Sequence, residues 1–254
     1  MNLANLEGDE KLFVARIRDI IRLSSESGRA RFSHFLTERQ VLLAAEAAGQ
    51  QKCDTFRLYG GYEGAGRVML GAFSPYEEPE DRLFPIQGIQ ITYKKEFSLS
   101  HRDFLGSLMG LKISRESVGD ILPGTGECTL FVLESVAPTV LSELDKVGRV
   151  GVKCKPALAG SVAFEPSFMP VSGTVKSPRL DSMVALLTGQ SRGKSADLIK
   201  AGQVSVAGAP CLELTRECLP GESISIRGIG KFILDDIGGL SKKGRLHIQC
   251  RKYL

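Results

Sequence analysis

The most constraining feature of the chain is a pair of short helical patterns near its C-terminus, each ended by a glycine and followed by alternating strands. Apolar residues repeat at helical spacing from Leu180 to Leu187, and Gly189 ends that pattern. A second helix is predicted to begin after Ser191 and to end at Gly202. Three later segments have the character of β-strands, and they are 203–208, 222–234 and 245–254. The pattern predicts a small unit that combines two helices with several strands.

Charge is divided unevenly along the chain. Residues 1–170 carry 20 Lys and Arg against 22 Asp and Glu, whereas residues 171–254 carry 13 against 7. A basic C-terminal third on a nearly neutral body suggests contact with a polyanion. Charge alone leaves a second interpretation open, in which this surface is basic and simply solvated.

The N-terminal part reads as helices followed by a hairpin. Segment 7–24 has a helical apolar stripe, and residues 37–40 fit a capping box that starts a second helix ending at Gly49. Two strands are predicted at 55–61 and 67–73, around a glycine-rich turn. The Pro-rich and acidic segment 74–85 is predicted to be a linker.

The middle of the chain alternates strands and helices. Ser100 and Asp103 suit the start of a helix, and residues 111–120 read as a basic loop-helix segment. The predicted elements are a strand at 86–93, a helix at 101–111, a strand at 127–134, a helix at 137–148 ended by Gly148, and a strand at 149–155. This order predicts an α/β layer of the ferredoxin or RRM type.

These patterns define an α+β chain of three small units. We predict an N-terminal α/β domain at 1–80, an RRM/ferredoxin-like central domain at 86–170 and a C-terminal domain at 176–254. The chain has no apolar run of the roughly 20 residues that a membrane-spanning helix needs. Its first residues lack the apolar segment of a secretory signal, so we expect a cytoplasmic protein. Its six Cys form no C-x-x-C pair, which favours scattered thiols over a disulfide framework or a zinc site.

The C-terminal unit resembles the S4 RNA-binding domain, an αL-type fold. The resemblance rests on Arg179-Leu180-Asp181, Ser191-Arg192, the spacing from Ala196 to Gly208, and Pro220-Gly221-Glu222 before a closing strand at 224–228. Ala207-Gly208 departs from the Asn-Gly usual in such domains, but both pairs suit a turn.

The resemblance to one family extends over nearly the whole chain. The chain is similar to the bacterial YlmH family, whose members combine an N-terminal domain, an RRM-like domain and an S4 domain. Gly66 departs from the family pattern, which usually has Glu before an Arg. The segments that carry the resemblance are HFLTERQ (34–40), GGYEGAGR (60–67), KKEFSLSHRDFLGSLMGLKISRESVGDIL (94–122), LDKVGRVGV (144–152) and SKKGRLHIQCRKY (241–253).

The candidate RNA-binding residues are mostly cations and helix-start residues, which suit phosphate groups. Leu180 and Asp181 have structural interpretations beside this one, and Lys200 could be an ordinary solvated residue. The C-terminal candidates are Arg179, Leu180, Ser191, Arg192, Lys194, Lys200, Arg227, Gly228 and Lys231. The candidates in the central domain are His101, Arg102, Lys112 and Arg115.

No catalytic, metal or cofactor site emerges from the sequence. Residues 189–195 resemble a Walker A loop but have three residues between the glycines instead of four. The family resemblance implies a non-enzymatic RNA-binding protein in ribosome-associated quality control, docked on the large ribosomal subunit. Its partners would be ribosomal RNA, with tRNA as a second candidate, and we expect a monomer. Two alternatives stay open: an RNA-modifying enzyme, pseudouridine synthase-like or methyltransferase-like, that its S4 domain targets, and a cell-division-linked adaptor.

Overall fold

The structure is a computed structural model that describes residues 3, 6, 8–160 and 168–253. The chain forms two compact units, Met1–Phe164 and Glu165–Leu254, and each is described by itself. The sequence-based domain limits at 80 and 86 therefore fall inside the first unit, and the division into three domains stays a prediction. None of the helices in the described residues is long and apolar enough to cross a membrane.

The first unit contains four α-helices and nine strands within the described residues. Its helices are α1 (Gly8–Ser27), α2 (Glu38–Gln50), α3 (His101–Gly110) and α4 (Ala137–Glu143). Its strands are β1 (Arg31–Phe32), β2 (Phe56–Tyr59), β3 (Met69–Ala72), β4 (Ile86–Thr92), β5 (Val118–Pro123), β6 (Glu127–Leu133), β7 (Lys146–Val147), β8 (Val150–Gly151) and β9 (Lys153–Ala157).

The N-terminal sheet has the order β1-β3-β2, with α1 and α2 packed beside it. The predicted capping box is confirmed: Gln40 N–H donates to Thr37 Oγ1, and Thr37 N–H donates to Gln40 Oε1 at 2.9 Å. This reciprocal pair satisfies backbone donors that a helix start would otherwise leave free. The helix then runs one residue past Gly49, which sequence alone predicted as its end.

The second sheet is fully antiparallel and has the order β5-β6-β4-β9. The chain passes through β4, α3, β5, β6, α4 and β9, which is the split βαβ connectivity of the predicted ferredoxin or RRM type, with β5 added to the five predicted elements. Two details differ from the prediction. Residues 118–123 form strand β5 instead of a loop-helix segment, and α4 ends at Glu143. Gly148 lies in the β7–β8 turn with φ +60°, where glycine pays no steric penalty.

Segment 74–85, predicted to be a linker between domains, lies within the first unit and contributes a buried ring to it. Phe84 is 3% exposed, and its ring lies 5.0 Å from that of Phe32 and 5.4 Å from that of Tyr59. Phe84 belongs to an aromatic cluster that also includes Phe35 of the N-terminal part and Phe131 of β6. Burial of large aromatic surfaces outweighs the turn character of the surrounding prolines and acids.

The second unit is a six-stranded antiparallel sheet with two helices. Its elements are β10 (Phe168–Val175), α5 (Leu180–Thr188), α6 (Arg192–Lys200), β11 (Val204–Val206), β12 (Ala209–Pro210), β13 (Ser223–Ile226), β14 (Gly230–Leu240) and β15 (Leu246–Tyr253). The strand order is β10-β15-β14-β13-β11-β12. Gly189 ends α5 in the left-handed region, and Ser191 caps α6, both as predicted.

Strand β10 has no counterpart in the sequence prediction. It pairs with β15 over eight residues, although it contains Pro170 and Gly173. Proline is tolerated here because β10 lies at the sheet edge. A Cβ on Gly173 would lie 2.2 Å from Leu186 Cδ1, so the glycine lets α5 approach the sheet closely.

Candidate nucleic-acid interface

Two arginines converge on one buried carboxylate where α5 and α6 begin. Arg179 is the N-cap residue of α5, Asp181 lies in its first turn, and Arg192 is the first residue of α6. Arg192 Nη2 donates to Asp181 Oδ2, and Arg179 Nη2 lies 3.4 Å from the same oxygen. The Asp181 side chain is 9% exposed, whereas those of Arg179 and Arg192 are 38% and 59% exposed. The acid holds both guanidinium groups in place without hiding them from solvent.

The charge state of Asp181 reflects these contacts. Burial raises its pKa, but the hydrogen bond from Arg192 and the charges of Arg192 and Arg179 together outweigh burial and lower it. Asp181 is therefore an anion at neutral pH and a structural anchor, as the sequence interpretation allowed.

Arg192 also lines a shallow groove with two further cations. The groove has a volume of about 420 Å³, and Lys176 and Arg245 contribute to it. The register of β10 and β15 pairs Val175 with Leu246, which brings the residues just beyond them to one end of the sheet. Arg245 Nη2 donates to Thr174 O at 3.0 Å, so its side chain is held over β10. Three cations around one open concavity form a site that suits a phosphate backbone.

Sequence reasoning missed Lys176 and Arg245 as site residues. The sequence shows that residues 171–254 are basic, and both cations lie in this part of the chain. Their proximity depends on the β10–β15 pairing, which was not predicted. Arg245 follows a turn that ends at Gly244, with φ +67°. No local pattern near Lys176 indicates that the strand ending at Val175 pairs with β15.

The other predicted residues of α6 lie at its two ends. Lys194 N–H donates to Ser191 Oγ at 3.4 Å, and both residues are exposed next to Arg192. Lys200 is exposed in the last turn, about 12 Å along the helix axis from Arg192. There its charge complements the helix dipole. The N-terminal end of α6 is therefore the end nearest the groove.

The β13–β14 turn carries a second set of predicted residues. Gly228 adopts φ +81°, and Arg227 is exposed while its N–H donates to Gln203 O at 2.9 Å. Lys231 lies on β14, with its Nζ 5.5 Å from the centre of the Tyr253 ring. Leu180 is fully buried among the core residues of the unit, so its predicted contact with RNA is wrong.

The first unit presents its predicted cations less uniformly. Arg102 and Lys112 are exposed, and Lys112 adopts φ +59°. Arg102 shares a surface cavity of about 430 Å³ with Glu143 and Asp145, whose charges oppose anion binding there. Arg115 is half-buried and its Nη1 donates to Val118 O at 2.6 Å, which commits it to the local backbone instead of the predicted open surface.

His101 begins α3, which a capping box between Ser100 and Asp103 supports. Desolvation, and then the positive charge of Arg115, lower the pKa of His101 below its ordinary value. Because the ordinary value is 6.5, this lowering keeps the ring uncharged at pH 7.

A polar cluster that the sequence did not single out anchors the glycine-rich turn. Asp120 accepts hydrogen bonds from Tyr62 OH at 2.8 Å, Gly66 N–H at 2.6 Å and Arg67 N–H at 3.1 Å. Arg67 Nε donates to Val118 O at 3.0 Å. Burial, and then the charge of Arg115, lower the pKa of Arg67 to about 10, so it stays protonated at neutral pH. These contacts give Arg67 a structural role.

The described residues contain no group of His, Cys, Asp and Glu side chains arranged to hold a metal ion. The cysteines are free thiols, and burial raises the pKa of Cys128 and of Cys218 to about 12. Both thiols are therefore protonated at neutral pH and poor nucleophiles.

Comparison with known proteins agrees with this description. Residues 79–159 match a family described as "Putative RNA-binding domain in YlmH". "Ribosome-associated protein quality control protein P2" of Bacillus subtilis (strain 168) is 29% identical over 242 residues, which cover 94% of each chain. "Cell division protein ylmH from Streptococcus pneumoniae" has a similar fold, with a TM-score of 0.52 and 19% identity over 60% of this chain and 93% of that one. Together with the motifs at 34–40, 60–67 and 94–122, these similarities confirm that the chain resembles proteins of the YlmH family.

Proposed function

We propose that this chain is a non-catalytic, ribosome-associated RNA-binding protein of the cytoplasm that takes part in quality control of stalled translation. Its ligand would be ribosomal RNA of the large subunit, with tRNA as a second candidate, and it would act as a monomer. The name of the Bacillus subtilis relative and the RNA-binding family match at 79–159 support a ribosome-associated role.

The groove of the second unit is the observation that carries the proposal. Three cations line it: Arg192, Lys176 and Arg245. Beside the groove, Arg179 and Arg192 both form ion pairs with the Asp181 carboxylate. Arginine forks and lysine point charges bind phosphates without reading base sequence. The site therefore suits folded RNA, which proteins recognise mainly by shape and by backbone contacts.

Co-sedimentation with ribosomal subunits tests the proposal. A variant with Lys176→Ala and Lys194→Ala removes two exposed charges near the groove and leaves the Asp181 ion pairs in place. A matched control with Lys242→Ala and Lys243→Ala removes the same charge from an exposed turn of the same unit. We expect the first variant to leave the large-subunit fraction of a sucrose gradient and the control to remain there. Equal retention of both variants would contradict the assignment.

The non-catalytic part of the proposal has its own test. Ribosomal RNA from a strain that lacks the protein would be compared with the parent by mass spectrometry of nucleosides. We expect the two modification profiles to be the same. A modification that disappears with the protein, and returns with the intact chain, would instead support an RNA-modifying activity.

A further inference from the structure

The sheet of the second unit has a face opposite its helices. Ile248 and Cys250 of β15, and Phe232 and Leu234 of β14, point into the core. Because side chains alternate along a strand, the residues between them point the other way. That outer face carries Arg251 and Tyr253 from β15 and Lys231 from β14.

One row across this face joins two aromatic rings to a cation. Phe168 pairs with Tyr253 across β10 and β15. Lys231 precedes Phe232, which pairs with Lys252, so Lys231 lies beside Tyr253 on β14. The row continues through Ser225 and Ser205 on the next two strands. The two rings lie 4.7 Å apart at 58°, and all five residues are partly exposed.

Cations flank both rings. Arg251 Cζ lies 4.7 Å from the centre of the Phe168 ring, and Lys231 Nζ lies 5.5 Å from that of Tyr253. Arg251 also forms an ion pair with Asp235 at 2.9 Å, which fixes its guanidinium plane while leaving the side chain 46% exposed. Aromatic rings on a sheet, bordered by cations, can stack an unpaired base and hold its phosphate.

We propose that this face, defined by Phe168, Tyr253, Lys231 and Arg251, binds unpaired nucleotides of RNA by base stacking. The inference rests on the proposed RNA-binding function and adds a second ligand class to the same unit. The groove beside α6 would hold phosphates of folded RNA, and the sheet face would hold single-stranded segments. Positive charge beside the rings favours RNA over an uncharged protein partner.

The test uses the full-length chain with Phe168→Leu and Tyr253→Leu, which keep apolar side chains but remove the aromatic rings. Ser172→Ala with Gln249→Ala is the matched control, because these exposed residues pair on the same two strands and the same face. The probes are a short single-stranded RNA that carries 2-aminopurine, the same strand with abasic sites, and a fully paired RNA duplex. Circular dichroism and thermal unfolding verify that each variant is folded.

We expect the parent chain to quench 2-aminopurine and to bind the abasic strand at least about fivefold more weakly than the intact strand. The leucine variant should lose both quenching and that preference, while its duplex affinity and the behaviour of the control stay unchanged. A variant that still quenches and binds the single strand like the parent would overturn the inference. A second result would also overturn it: the leucine variant binds RNA normally but captures less ribosomal protein from a fraction that has been freed of RNA. In that case the face binds protein.

The two proposals fail in different ways. If the parent binds the duplex but not the single strand, the stacking inference is wrong while the proposed function stands. If Lys176→Ala with Lys194→Ala keeps full affinity for the duplex and the ribosomal subunit, the proposed groove is wrong whatever the sheet face does.

Discussion

Asp181, in the first turn of α5, forms an ion pair with Arg192, the first residue of α6, with the acid 9% exposed and the base 59% exposed. The buried partner fixes the position of the exposed one. Because Arg179 reaches the same carboxylate, the pair also ties the N-terminus of α5 to that of α6. One acidic side chain thus links the stability of the unit to the position of the arginines that we propose bind RNA.

The first prediction concerns Asp181→Asn. The substitution removes the charge that two arginines share, so we expect the free energy of unfolding to fall by about 1–3 kcal/mol. Urea unfolding at neutral pH would measure the change. A variant as stable as the parent would show that the carboxylate is not an anchor.

The lowered pKa of Asp181 also predicts that the free energy of unfolding depends on pH. Its pKa is lower in the folded chain than the ordinary value of 3.8, so the folded state holds fewer protons than the unfolded state in that range. The stability that Asp181 contributes is complete above that value and is lost as pH falls through the folded pKa. Unfolding curves from neutral to acidic pH should therefore converge for the parent and Asp181→Asn. Parallel curves would contradict this account.

A second prediction concerns the groove and salt. Each lost phosphate contact makes the slope of log affinity against log salt shallower by about 0.7–0.9. We expect Lys176→Ala and Lys194→Ala each to have this effect on binding to a ribosomal RNA fragment. Lys242→Ala should leave the slope unchanged, as titrations at several salt concentrations would show. A change of slope in the control alone would place the RNA elsewhere.

A third prediction compares two glycines of one turn. Gly61 has φ +101°, and a Cβ there would lie 2.4 Å from Cδ1 of the buried Phe131. Gly64 has φ +80° and open space around it. Gly64→Ala should cost about 1–2 kcal/mol from backbone strain, and Gly61→Ala about 1–3 kcal/mol more from overpacking. Thermal unfolding would rank them, and equal costs would refute the close approach.

A fourth prediction concerns His101. Desolvation and the charge of Arg115 keep its pKa below the ordinary 6.5, so we expect its NMR titration midpoint at lower pH than that value. Arg115→Gln should move the midpoint upward because a repelling charge is lost. Since the unfolded ring takes up a proton first, this group reduces stability as pH falls through that range. If Arg115→Gln leaves the titration midpoint of His101 unchanged, the charge of Arg115 does not act on the ring.

Local signals predicted much of the fold, because a helix start or stop depends on a few neighbouring residues. The caps at Thr37, Ser100 and Ser191 and the stop at Gly189 are all present. Features that depend on distant partners were missed. Strand β10 forms through its pairing with β15, which no local pattern predicts. The end of segment 74–85 is held by the packing of Phe84 against other aromatic rings.

The residues of the candidate site show the same difference between local signals and contacts with distant parts of the chain. Arg192 and Lys194 were found from the helix start that they occupy, and the basic balance of residues 171–254 indicated the right part of the chain. Lys176 and Arg245 required the sheet register. Leu180 was included among the candidate RNA-binding residues because its neighbours Arg179 and Asp181 belong to the same motif. Its helical spacing already indicated a core position, where the structure places it.

The pairing of β10 with β15 has a consequence for dissecting this protein into fragments. These strands are the first and last elements of the second unit, yet they are adjacent in its sheet. A truncation that begins at the S4-like motif or stops before residue 245 would expose a sheet edge and remove one of the three cations of the groove. Fragments intended to isolate the motif therefore need both of its flanking strands.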